Sequence, residues 1–102
     1  MRDDDLRLGL EALRILDQLI DEKPREEAHQ RMSEVMRLLV RWRDDLIARR
    51  RAGEERPELR EALDQVNGVM SLAFGAQFPV VGVKWQRMEK TRDALREIMR
   101  HA

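Results

Sequence analysis

At 102 residues the chain has room for one domain with a modest core and no second one. Its 20 basic and 20 acidic residues cancel to a formal net charge of zero, which removes the simple electrostatic case for nucleic acid or an anionic membrane as partner. Cysteine is absent, which excludes disulfides, thiolate metal sites and thiol catalysis, and 42% apolar residues is too hydrophobic a composition for a disordered chain.

The first residues, Met1-Arg2-Asp3-Asp4-Asp5, are acidic and lead into an amphipathic stretch, unlike a signal or transit peptide, so cytoplasmic residence is expected. A first helix is predicted over about 4–22, with Asp3 to Asp5 at the positive end of its dipole. Leu6, Leu10, Leu13, Leu16 and Ile20 form one stripe on it, and Leu8, Ala12, Ile15 and Leu19 form a second. A helix apolar over that much of its circumference is expected to be covered on two sides.

Pro24, Pro57 and Pro79 each precede a periodic stretch, the place where a missing N–H is no loss. The second helix is thus predicted over about 25–52, with Glu26 and Glu27 in its first turn and Ala28, Met32, Val35, Leu39, Trp42 and Leu46 as its stripe. Arg49, Arg50 and Arg51 fill its last turn, and Gly53 is read as a left-handed cap. A third helix over about 57–74 carries Leu59, Leu63, Val66, Met70 and Ala73, with Gly75 read as its cap. The fourth, over about 79–101, carries Val81, Trp85, Met88, Thr91, Leu95 and Ile98. No β-type alternation runs long enough for a strand, so the chain is predicted to be all-α. Short connections favour an antiparallel up-down-up-down four-helix bundle forming a single domain over 1–102. Its expected core is Leu10, Leu13, Leu16, Val35, Leu39, Trp42, Leu63, Val66, Met70, Trp85, Met88 and Leu95.

Residues able to do chemistry are few. Glu26-x-x-His29 has the spacing of a carboxylate–histidine pair on one helical face, but a di-metal bundle needs a second pair and further inward glutamates. His101 suits a helix C-terminus. No phosphate loop, nucleophile elbow or catalytic triad can be assembled, and Ser33 and Ser71 have no histidine at a suggestive spacing. Asp17 intrudes on the apolar arc of the first helix and is expected to pair with an arginine of a neighbouring helix such as Arg43. Trp42 and Trp85 are read as core residues at different heights in the bundle. No catalytic residue, metal ligand or cofactor is therefore expected.

Two binding readings remain. Arg49, Arg50, Arg51, Arg56 and Arg60 form the densest basic cluster, the basis of a nucleic-acid reading. Glu54, Glu55, Glu58 and Glu61 neutralise that neighbourhood, and no aromatic residue interleaves for stacking on bases. The stronger signal is the stretch 65–83, which has no charged residue in a chain that is 39% charged. Asn67, Gln77, Gly75 and Pro79 interrupt it, so it does not read as a membrane span. Helical phase does not let all its apolar side chains face one small core. A contact surface is accordingly expected on Leu72, Phe74, Phe78, Val80 and Val83, with help from Leu8, Ile15 and Leu19. The expected occupant is a second copy of the chain in a symmetric homodimer, or another protein.

Overall fold

The computed structural model describes residues 2–24, 26–54, 56–77 and 84–101, the side chains of Ala76 and Gln77 excepted. These residues form α1 (Asp3–Glu22), α2 (Ala28–Arg51), α3 (Pro57–Gln77) and α4 (Trp85–Arg100), and there is no strand among them. Close approaches run α1 to α2, α2 to α3, α3 to α4 and α4 to α1, and among the described residues neither diagonal pair meets. The four helices therefore close a ring around one core, a compact four-helix bundle. On the α1–α2 side Asp5 meets Arg49 and Gln18 meets Arg31, while on the α1–α4 side Gly9 meets Met99 and Asp17 meets Arg96. Each pairing descends one helix as it climbs the other, the order that antiparallel neighbours give.

The helix ends follow local chemistry. Pro57 is the first residue of α3, as its missing N–H requires. Gly53 has φ +99°, and the motif is complete: Gly53 N–H donates to Arg50 O at 3.1 Å and Glu54 N–H to Arg49 O at 3.1 Å. That is a Schellman cap, open to glycine because it lacks the Cβ that disfavours positive φ. Two expectations are corrected. Pro24 does not open α2, which begins at Ala28 after a turn at Glu26 and Glu27, because α1 ends instead on Lys23 in the left-handed conformation (φ 44°), its N–H donating to Leu19 O at 2.8 Å. Gly75 caps nothing: α3 continues through it to Gln77, since no proline or charge interrupts the run. The fourth helix is seen from Trp85, and the expected start at 79–83, with Val81, lies outside the described residues.

The core is the expected one on α2, where Ala28, Met32, Val35, Leu39 and Trp42 have no exposed surface. Leu63, Val66, Met88, Leu95 and Leu16 join it, while Leu13, Met70 and Trp85 pack against it half-buried. Leu10 is the exception, at 55% exposed. The buried line of α1 is Asp5, Gly9, Ala12, Leu16 and Leu19 with Ile15 and Ile20 beside it, so the helix is rotated away from the Leu6–Leu10 stripe. Gly9 explains the choice: Met99 Sδ and Trp42 Cζ3 press against the position a Cβ would take, the latter at 2.9 Å. Only a residue without a side chain lets α1 approach α2 and α4 that closely, and this pins the buried face.

Candidate interaction surface

Outward-facing residues of α3 divide into two halves. The first half presents Glu58, Arg60, Glu61 and Asp64, all exposed and charged. The second half, from Gln65 on, presents Asn67, Gly68, Ser71 and Phe74, all exposed and none charged, with Leu72 and Gly75 half-buried alongside. Phe74 is 58% exposed, a large aromatic surface held outward by the helix. It faces outward because its phase follows Asn67 and Ser71, while Val66, Val69 and Ala73 take the buried side. A Cβ placed on Gly68 would meet nothing within 4 Å, so this face is open there. Gly75, by contrast, is covered by the guanidinium of Arg87 from α4.

Of the expected contact residues, Leu72 and Phe74 both lie at this end of α3, but two positions apart on a helix they point to different sides, Phe74 exposed and Leu72 half-buried, so the structure does not bring them onto one face. Phe78, Val80 and Val83 lie outside the described residues. Ile15 and Leu19 are corrected: each is 2% exposed and belongs to the core of the single chain, because the Gly9 side of α1 turns inward. Leu8 packs half-buried against that core.

The basic cluster is also divided. Arg49 donates from Nη2 to Asp5 Oδ2 at 2.6 Å, with the two side chains 14% and 2% exposed. Asp5 in addition accepts the Arg2 backbone N–H at 3.1 Å, the helix-start half of a capping box. Arg49 is thus spoken for, which corrects its place among free phosphate contacts, whereas Arg50, Arg51, Arg56 and Arg60 are exposed. A cleft of about 600 Å³ opens at this end of the bundle, where Arg2, Arg49 and Arg56 alternate with Asp5, Glu54 and Glu58. Such a lining favours neither sign of ligand. The ion pair was legible in principle: Arg49 falls three residues beyond Leu46 on the α2 stripe, and Asp5 four before Gly9 on the buried line of α1.

Asp17 does pair with arginine across a helix boundary, at 2.7 Å to Arg96 and 3.8 Å to Arg92 of α4. Arg43 is corrected as its partner, because it lies beside Asp44 at 3.4 Å on its own helix. Glu26 sits in the turn before α2, not on the helix with His29, so their three-residue spacing does not place them on one helical face. Among the described residues no three His, Asp or Glu side chains are grouped to hold a metal, and no helix is long and apolar enough to cross a membrane. Glu11 and Arg14 are electrostatically paired: the hydrogen bond from Arg14 holds the Glu11 carboxyl below the usual glutamate range and raises Arg14 in turn. Comparison with family models, with curated proteins and with solved structures gives no match.

Proposed function

We propose that the chain acts through contacts with protein, as a homodimer or docked on another protein, and carries out no catalysis. The observation behind this reading is the second half of α3, where an aromatic side chain 58% exposed stands on a face without charge in a chain that is 39% charged. Such a face gains by being covered, since burying it removes apolar area from water. A self-pairing contact is preferred because two-fold dimers are the commonest way for one chain to cover its own patch. An adaptor or regulatory module would use such a surface without any reacting group.

Nucleic-acid binding through the arginine cluster has less to rest on. Arg49 is joined to Asp5, and Glu54 lies within ion-pair range of Arg2 and Arg56, at 3.6 and 3.9 Å. The test is sedimentation of the wild type and Phe74→Asp across concentration, with affinity capture by both and duplex binding at two salt concentrations. Association or capture that depends on Phe74 supports the reading. Loss of both Phe74-dependent readouts, with salt-steep duplex binding abolished by Arg50→Ala and Arg51→Ala, would reverse it.

A further inference from the structure

The first turns of α1 and α3 and the last turns of α2 and α4 come together at one end of the bundle. The buried line of α1 begins there with a carboxylate, Asp5, and the first turn of α3 has one buried side chain, Leu59, among the exposed Pro57, Glu58, Arg60 and Glu61. So few apolar side chains leave the ring unplugged, and the cleft of about 600 Å³ opens at this place. Small-ligand sites occupy about 300–1,000 Å³, so the size suits one. Leu46, Leu59, Ala62 and Ile98, all buried, give the cleft an apolar wall.

Charge in the lining cancels unevenly. Arg49 and Asp5 match each other at 2.6 Å, and His101 lies against Glu97 of its own helix at 2.8 Å. Arg2 and Arg56 share a single acid, Glu54, at 3.6 and 3.9 Å, which leaves positive charge over. Glu58 and Glu61 line the cleft with no base in ion-pair range among the described residues. A surplus of each sign therefore stands beside an apolar wall. A simple anion meets repulsion from the two glutamates, and a simple cation meets it from the two arginines. We infer that the cleft is a site for an apolar zwitterion, a free amino acid or very short peptide. Its ammonium meets Glu58 and Glu61, its carboxylate meets Arg2 and Arg56, and its side chain lies on the wall of Leu59, Ala62 and Ile98. Charge-assisted contacts at both ends orient the ligand, and the wall takes its apolar area out of water. The site uses the first half of α3, away from Phe74 in the second, so it stands apart from the protein-contact reading.

The test is an NMR titration of the full chain with leucyl-leucine, and with free leucine as a second arm. A dipeptide of about 17 non-hydrogen atoms at ordinary ligand efficiency reaches a Kd of about 0.1–1 mM, and the amides of Leu59, Ala62 and Ile98 are expected to shift. Tighter binding of leucine assigns the amino acid, and tighter binding of leucyl-leucine the peptide. Acetylating the dipeptide's amine or amidating its carboxylate should each weaken binding by about threefold to tenfold, the loss of one or two exposed charge contacts. Glu58→Gln with Glu61→Gln should weaken the free dipeptide as much and leave the acetylated one unmoved. Arg2→Gln with Arg56→Gln should likewise weaken the free dipeptide and spare the amidated one, with circular dichroism showing the helices intact. Phe74→Asp should change none of this. Unshifted amides along the wall at about 10 mM dipeptide, or blocked dipeptides that bind wild type as tightly as the free one, overturn the site. Binding lost in Phe74→Asp places the ligand at the other end of α3 and overturns it as well.

Discussion

Arg49 and Asp5, 44 residues apart in sequence, meet at 2.6 Å and join the last turn of α2 to the first turn of α1. Each sits where its charge suits its helix, an acid at an N-terminus and a base at a C-terminus. Both are nearly buried, so the pair is held together by the lack of any alternative as much as by attraction. Removing one partner strands the other. Arg49→Met is expected to lower unfolding stability by about 3–5 kcal/mol, and adding Asp5→Leu to recover most of that loss, because an apolar pair desolvates nothing. Urea denaturation of the two single variants and the double closes the cycle. A loss in the double variant equal to the sum of the two single losses would show that the contact carries no coupling.

Two glycines in helices make opposite forecasts. In an open helix position Ala is favoured over Gly by about 0.5–1 kcal/mol, so Gly68→Ala should stabilise the isolated chain by about that much. At Gly9 the same change drives a Cβ against Trp42 Cζ3 and Met99 Sδ. The methionine can move aside, but the indole is packed on every side, and overpacking of this sort costs about 1–3 kcal/mol. Thermal unfolding at low protein concentration, where association does not contribute, should move the two midpoints in opposite directions. A stabilised Gly9→Ala variant would mean that α1 does not approach its neighbours as closely as described.

Gly9 also shows how far the sequence could be read. Stripes on α2 and α4 fixed which faces turn inward, because charged residues leave only one apolar line there. On α1 the leucines outnumber the places available, and period alone offers two faces of similar hydrophobicity. The choice fell to Gly9, whose packing value lies in what it lacks and which no hydropathy pattern registers. For that reason hydropathy period puts Leu10 inside and Ile15 and Leu19 at a contact surface, the reverse of the structure. The arginine run had a similar blind spot: charge suggested a surface, while position on the stripe put Arg49 in the pair with Asp5. Phe74 was legible because its helix has no spare core to offer it.

Trp42 has no exposed surface, and among the described residues its indole Nε1–H has no hydrogen-bond partner. A buried unpaired donor forfeits the water it left, at about 1–3 kcal/mol. Trp42→Phe removes that donor and keeps most of the aromatic packing, so its net cost should not exceed about 1–2 kcal/mol, the small cavity being partly offset by the relieved donor. Trp42→Ala should cost about 3–5 kcal/mol, since the cavity then dominates. Guanidinium titrations of both variants check the contrast. A phenylalanine variant as damaged as the alanine one would imply that the indole N–H has a strong partner.

Glu11 and Arg14 share one turn of α1, with Arg14 Nε and Nη2 donating to the two Glu11 carboxylate oxygens at 3.1 and 2.6 Å. This bidentate contact favours the ionised acid, which is why the Glu11 carboxyl titrates below the usual glutamate range, with Arg14 the largest cause. A folded-state pKa below the unfolded one gives stability that is present above the unfolded value and is lost as pH falls through the folded one. The window therefore lies at and below the usual glutamate range, near pH 4.5 and lower, and nothing changes at neutrality. Both side chains are largely exposed, so salt screens the contact and its share of stability is small. Carbon-13 NMR of the side-chain carboxyls gives the direct reading. Glu11 should titrate at lower pH in the wild type than in Arg14→Gln, where the bidentate donor is gone. A Glu11 titration unmoved by that substitution would place the cause elsewhere than in Arg14.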